Sequence, residues 1–242
     1  MALRASCIAR WLVAMLAIGC AAVGGAHDFA ASVVRVRALS GDGTPKLGSG
    51  VVIGRGEVAT ACHVTRGAAR IEVVKGALRR DVERQTGSAH HDVCVLHLGA
   101  LHIAPAIARP SRSLLPREAV VAIGFEGGDE AVAMHGEVAG LYAYEGANVV
   151  RTDARFDFGS SGGALLDADG RLVGILAFRG RAGERLRFVL PSEWLAPDAP
   201  IPSLPMKTGA GSDMPAFWER SSHERPAFLG VALQEAADAM AR

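Results

Sequence analysis

From about residue 29 to residue 190, apolar residues come in short clusters, each closed by glycine-rich or charged turns. The pattern predicts strands at 32–38, 48–53, 57–60, 70–74, 93–98, 119–123, 136–142, 149–152, 163–166, 173–178 and 185–189. Many short strands at near-regular spacing favour an all-β barrel or sandwich. Gly41-Asp42-Gly43-Thr44-Pro45 reads as a turn. Residues 64–69 lack clean alternation and suggest a helical turn. Pro110 to Pro116 reads as a linker between two halves. There is no internal repeat.

Both ends differ from this middle. Arg4 and Arg10, then an apolar run of 13 residues from Trp11 to Val23, then Gly24-Gly25-Ala26, read as a signal peptide over 1–26. The run is shorter than the roughly 20 apolar residues a membrane-spanning helix needs. Cleavage after Ala26 is the first expectation. Leu16-Ala17-Ile18-Gly19-Cys20 loosely resembles a bacterial lipobox, so a lipid anchor on Cys20 is the alternative. Both readings imply export, to a periplasm or beyond; a buried N-terminal helix is the remaining alternative. After Pro191, prolines at 197, 200, 202, 205 and 215 predict an extended tail over 196–242. A short C-terminal helix is expected at 227–241, with Phe228, Leu229, Leu233, Ala236 and Met240 on one side. It either packs on the barrel or meets a partner.

The chain's 242 residues, 50% of them hydrophobic, can bury one sizeable core or two small fused barrels. A net charge of +1 gives no sign of nucleic acid as a partner. Arg79, Arg80 and Arg84 read as a solvated loop. Of four cysteines, Cys7 and Cys20 fall in the signal segment, leaving Cys62 and Cys94. Export implies an oxidising compartment, where the pair is either a disulfide or two small buried thiols.

The chemistry concentrates in three motifs. Phe158-Gly159-Ser160-Ser161-Gly162-Gly163 suits a nucleophilic Ser161 on a tight turn, with the N–H groups of Gly159 and Ser161 aimed at a developing oxyanion. Thr60-Ala61-Cys62-His63-Val64 offers a general base, and His91-Asp92-Val93-Cys94 a carboxylate to orient it. The order His63, Asp92, Ser161 is that of the chymotrypsin-type triad. These residues lie far apart in sequence, so the fold must assemble them. No metal or organic cofactor is needed for this chemistry. His90, His91, Cys94 and His97 were they on one strand would face opposite sides, which splits them as a metal set. Gly127-Gly128-Asp129-Glu130 resembles a cyclase signature, but it lies in a turn between strands.

Gly48-Ser49-Gly50-Val51-Val52-Ile53 with Thr60-Ala61-Cys62-His63-Val64 resembles the N-terminal barrel of trypsin-like peptidases. Val120 to Gly124, Thr152-Asp153-Ala154, Gly159 to Leu166, Gly170 to Ile175 and Phe188 to Pro191 resemble the second barrel of the HtrA (high-temperature-requirement) or Deg group. The resemblance spans about residues 30–195. It implies two six-stranded antiparallel β-barrels of the chymotrypsin type, over about 27–110 and 117–195 of a 27–195 protease domain. It implies a serine endopeptidase acting on polypeptides, with a catalytically silent peptide-binding or chaperone-like module as the alternative. It also places Arg155, Phe156, Ala177, Phe178 and Arg179 at the substrate. Phe156 would shorten the pocket for a small or aliphatic side chain. Arg155 either favours an acidic side chain or is a solvated strand-end charge. Three departures stand out. Ser160 replaces the aspartate of pancreatic enzymes, so activation through a new N-terminus is not expected. Phe158 replaces a proline common before the glycine. The 51 residues after Pro191 are too few for the PDZ domain usual in the HtrA group.

Overall fold

The computed structural model describes residues 29–181, 184–195 and 203–204. The expected signal segment, the lipobox at Cys20, most of the tail and its terminal helix lie outside the described residues. No helix among the described residues is long and apolar enough to cross a membrane.

Two antiparallel sheets form two barrels. The first contains β1 (Val33–Leu39), β2 (Pro45–Gly54), β3 (Glu57–Ala61), β4 (Arg70–Lys75), β5 (Leu78–Asp81), β6 (Arg84–Ser88) and β7 (Val93–His97). A four-residue helix, α1 (Cys62–Thr65), follows β3. The strand order is β6-β7-β3-β2-β1-β4-β5. β5 and β6 are consecutive in the chain yet sit at opposite edges of this sheet. Val82 donates its N–H to the Ile71 carbonyl and Glu83 to that of His97. The bend at Val82-Glu83 therefore ties both edges together, and β5 and β6 act as one bent closing strand.

β8 (Ala119–Gly124), β9 (Val132–Tyr144), β10 (Ala147–Thr152), β11 (Ala164–Asp167), β12 (Leu172–Arg181) and β13 (Glu184–Pro191) form a closed barrel in the order β10-β13-β12-β11-β8-β9. Short 3₁₀ turns lie at Ser111–Ser113, in the connection between barrels, and at Ser192–Leu195. A two-residue β14 (Ser203–Leu204) pairs with the free side of β6.

Side-chain alternation sorts the apolar residues into three cores. Val34, Val36, Val52, Val58, Ile71, Val73 and Leu96 fill the first barrel. Val120, Ala122, Val150, Phe156, Leu165, Val173 and Leu176 fill the second. The alternate positions make a third core between them. Val33, Val51, Ala59 and Val93 there meet Val121, Ile123, Ala164, Ile175 and Leu190. Strands such as β8 and β11 serve one core with each face, so they read as unbroken apolar runs. β5 and β6 were not foreseen. Leu78-Arg79-Arg80-Asp81 is largely exposed and carries no apolar period, so its arginines, expected in a loop, stand on a strand. Arg70 on β4 reaches across to Asp81 at 2.8 Å.

Polar contacts fasten the barrels and their connection. Arg35 on β1 pairs with Asp129 at 2.8 Å and also binds the Gly128 carbonyl. The Gly127-Gly128-Asp129-Glu130 stretch is thus an inter-barrel clasp. In the connection, Ala108 bridges to Leu172, and the buried Asp167 accepts from Arg109 at 2.9 Å and Arg171 at 2.8 Å. Arg109 also binds Glu118 and Ser113. Burial alone would push the Asp167 carboxyl up, but hydrogen bonds from the Arg171 backbone, Arg109 and the Arg171 side chain outweigh it and hold it low. The Arg109 hydrogen bond holds Glu118 low as well. Removing one partner of such a network strands buried charge at about 3 kcal/mol. Arg109→Ala is therefore expected to lower the urea midpoint by about that much stability. Because both carboxyls are depressed in the folded state, this contribution is complete above the ordinary carboxylate range. It fades as pH falls below that range. A midpoint within error of wild type at neutral pH would contradict the account.

Candidate active site

β3 runs into α1, and this junction delivers His63. Asp92 arrives from the turn before β7, because β3 and β7 pair with Ala61 opposite Val93. The two side chains meet: His63 Nδ1 lies 2.6 Å from Asp92 Oδ2. The backbone N–H of His63 donates to Asp92 Oδ1 at 2.8 Å, and that of Cys62 to the Asp92 carbonyl at 2.9 Å. One carboxylate thus fixes both the ring and the backbone of the histidine. Asp92 is only 1% exposed and adopts a left-handed conformation at φ 58°. Aspartate tolerates that region better than most residues. Lys46 donates to the His63 carbonyl. Burial and then Arg66 push its ammonium below the usual lysine range, against an opposite pull from Asp92.

Cys62 and Cys94 are joined by a disulfide, with Cα atoms 4.9 Å apart. The pairing of Thr60 with Cys94 sets this distance. The bridge ties the residue before His63 to the strand after Asp92. It closes a loop with a sequence separation of 32, and loops of that size are stabilised by about 3–4 kcal/mol on the chain-entropy account.

Ser161 comes from the second barrel, on the turn between β10 and β11. That turn packs against the first barrel a few residues before His63. Ser49 on β2 donates its N–H to the Ser161 carbonyl at 2.8 Å. Gly162 has φ +87°, and a Cβ there would come within 2.1 Å of the Ser49 carbonyl and 2.3 Å of Thr60 Oγ1. Gly159 has φ +90°, and a Cβ would meet the Phe125 carbonyl at 2.4 Å. Neither position admits a side chain, which accounts for the glycines on either side of the serine pair.

Two residues that sequence reasoning did not single out hold the Gly159 loop. Ser49, fully buried, donates its hydroxyl to the Gly159 carbonyl at 2.8 Å and accepts the Phe125 N–H at 2.8 Å. Glu126 Oε1 accepts the Asp157 N–H at 2.8 Å and lies 3.4 Å from Ser160 Oγ. Ser160 is itself fully buried, and the loop is braced by the buried Ser49 hydroxyl on one side and by the exposed Glu126 carboxylate on the other. Ser49→Ala would leave a carbonyl and an N–H without these partners. A stability loss of about 2 kcal/mol is expected. Turnover is expected to fall roughly tenfold, less than the loss of an oxyanion donor itself. Unchanged kcat in the folded variant would separate Ser49 from the loop's function.

The residues expected at the substrate divide. Arg155 is exposed, as a solvated strand-end charge would be. Phe156 has no exposed surface and packs in the core of the second barrel, below Arg187. Its expected contact with substrate is corrected to a packing role. Ala177 is buried between the barrels. Ala177, Phe178 and Arg179 lie on β12 and pair on one side with Phe188, Arg187 and Leu186 of β13. On the other side Leu176 bonds Gly162 and Gly163, and β11 pairs no further than Ile175. His90, His91, Cys94 and His97 do not gather as one ligand set, since Cys94 is in the disulfide and His97 bonds Thr86. His90 and His91 lie in a turn rather than on a strand.

Comparison with known proteins agrees with this geometry. The trypsin-like peptidase domain family matches residues 48–175. The fold resembles the HtrA-type protease AlgW solved with a tripeptide, with 25% identity and a TM-score of 0.61, over 68% of this chain and 57% of that one. It also resembles the active form of the Rv3671c protease from M. tuberculosis, with 23% identity and a TM-score of 0.65, over 78% and 88% of the two chains. An inactive form of that protease gives a TM-score of 0.59 at 23% identity, over 70% and 87%. This chain thus spans little more than half of the AlgW structure. No curated protein matches it. The family match covers more than half the sequence and falls on the strands and turns that carry His63, Asp92 and Ser161, and the chain belongs to the trypsin-like peptidase family.

Proposed function

We propose that the protein is an exported serine endopeptidase in which His63, Asp92 and Ser161 form the catalytic triad. The observation that carries the reading is the His63–Asp92 contact at 2.6 Å, reinforced by the His63 N–H on the same carboxylate. An imidazole held in that way presents Nε2 as the base, with its proton on Nδ1. The glycine turn bearing Ser161 lies against the strands that lead to His63.

In this reading Ser161 Oγ attacks the peptide carbonyl while His63 Nε2 takes its proton. Asp92 stabilises the imidazolium. The N–H groups of Gly159 and Ser161 receive the oxyanion. His63 then protonates the leaving amine, and the acyl-enzyme forms. Water, deprotonated by His63, completes hydrolysis. The edge of β12 beyond Leu176 is where an extended substrate backbone would add as a strand, at Ala177, Phe178 and Arg179. The tripeptide in the AlgW structure is in keeping with a peptide-binding site on this fold. Arg155 stands near the turn and is free of the core, so a contribution to side-chain preference is still assigned to it.

The test is cleavage of an unfolded protein such as reduced casein by the purified mature chain, with the new termini sequenced. Peptides released at internal bonds support an endopeptidase. A folded, disulfide-bonded protein that binds casein and cuts nothing would instead mark a peptide-binding module.

A further inference from the structure

Three ligand-type side chains outside the proposed triad converge from both barrels on one point beside Asp92. His90 and His91 stand in the turn that leads into Asp92. Glu145 stands in the hairpin turn between β9 and β10. Its carboxylate spans both rings: Oε1 lies 2.8 Å from His90 Nε2 and Oε2 2.5 Å from His91 Nε2. All three ligand atoms lie within 4.8 Å of one another. Tyr144 adds its hydroxyl, 3.0 Å from His90 Nε2.

The surroundings orient these groups. Trp194 stacks on the His91 ring at 4.2 Å, and the His90 ring meets His91 edge-on at 4.9 Å. Ser88 Oγ accepts the His91 N–H at 3.2 Å. The cluster is still reachable from solvent, with the His91 side chain 22% and that of Glu145 45% exposed. Glu145 also occupies an unusual position. With φ 42° followed by Gly146 at φ 79°, it is the first residue of a turn with two left-handed positions. Such turns favour Asn, Asp or Gly. A glutamate there carries a backbone cost that closing the hairpin does not require. What it gains is a carboxylate that reaches both histidines.

We propose that His90 Nε2, His91 Nε2 and one Glu145 oxygen bind a single zinc-class divalent cation that clamps the two barrels together beside Asp92. Two imidazoles and one carboxylate are the donor set that zinc accepts with a water in the fourth place. Imidazole donors favour zinc, copper or nickel over magnesium or calcium. On binding, each imidazole keeps its proton on Nδ1 and turns the Nε2 lone pair to the metal. Any Nε2 proton is released to solvent. The carboxylate exchanges its two hydrogen bonds for the metal bond. The role is structural and regulatory, since the metal would fix the turn that carries Asp92 without touching the bond being cut.

The experiment titrates the mature chain with Zn²⁺ against a chromophoric chelator, alongside His91→Ala and Glu145→Gln, and reads melting temperature and the visible spectrum of the Co²⁺ form. The wild type is expected to bind one Zn²⁺ that either variant binds more than about tenfold more weakly, a loss in line with disturbed zinc shells. At a free Zn²⁺ concentration a hundredfold above Kd, its melting temperature is expected to rise by roughly 5–10 °C. Co²⁺ should give the intense visible bands of low coordination number, and Glu145→Gln should lose them. Glu145→Gln keeps the size and an acceptor oxygen, so it serves if His91→Ala does not fold. Equal Zn²⁺ affinity in wild type and Glu145→Gln, or no metal-linked rise in melting temperature, would overturn the proposal. Neither readout depends on peptidase activity, so the metal site and the proposed function stand or fall separately.

Discussion

Replacing Ser161 with alanine is expected to slow peptide hydrolysis by about 10⁴–10⁶-fold while the protein stays folded. Hydrolysis through an acyl-enzyme needs a nucleophile, and no neighbouring hydroxyl can substitute. Ser160 is fully buried and faces Glu126 rather than the junction with the first barrel. Alanine at 161 keeps the backbone contact from the Ser49 N–H to the residue's carbonyl, because that contact does not involve the side chain. The disulfide and all three cores are untouched, so the melting temperature should stay within a few degrees of wild type. Ser160→Ala is the control. It forfeits only a hydrogen bond of 3.4 Å and should retain most activity. Comparable turnover in Ser161→Ala, measured on a quenched peptide with protein free of contaminating protease, would remove the serine from the mechanism.

Asp92→Asn is expected to lower kcat by about 10⁴-fold, with KM little changed. The substitution is informative because the backbone should accept it. Asp92 sits at φ 58°, and asparagine is among the residues best suited to that region. The loss is therefore one of charge and tautomer. Asp92 now accepts from the His63 ring at 2.6 Å and from the His63 backbone at 2.8 Å. An amide presents one acceptor and one donor. If its oxygen keeps the backbone bond, its NH₂ faces Nδ1 and selects the tautomer with the proton on Nε2. That histidine cannot take a proton from Ser161. A loss of less than about tenfold would show that the His63–Asp92 contact is structural only.

How much of this was legible in the sequence depends on how local each signal is. The serine turn was readable because Gly159 and Gly162 are forced by backbone contacts no side chain survives. The cysteine pair was readable as a choice between disulfide and free thiols, since its members flank His63 and Asp92. Strands such as β8 announced themselves by apolar runs. β5 and β6 did not, because their backbones close the first barrel while their residues show no apolar alternation: Arg79, Arg80 and Asp81 of β5 are exposed, and the buried positions of β6 are Gln85 and Gly87. A family resemblance gives the position of Phe156 along the chain but not its side-chain direction. Its ring turns inward. Ser49 was hidden because its partner Gly159 is 110 residues away, and a serine in a strand has many uses. The cluster at Glu145 was hidden twice over. Its partners are more than 50 residues distant, and the strand parity applied to His90 and His91 fails in a turn.

The most direct measurement is covalent labelling of the folded, disulfide-bonded protein with a fluorophosphonate, followed by mass spectrometry of its peptides. Such probes react with serines activated by a neighbouring base and poised at an oxyanion hole. The account predicts a single adduct, on Ser161, that is lost on heat unfolding and strongly reduced in Asp92→Asn. A folded protein that takes up no label, or one labelled on Ser160 or elsewhere, would contradict it.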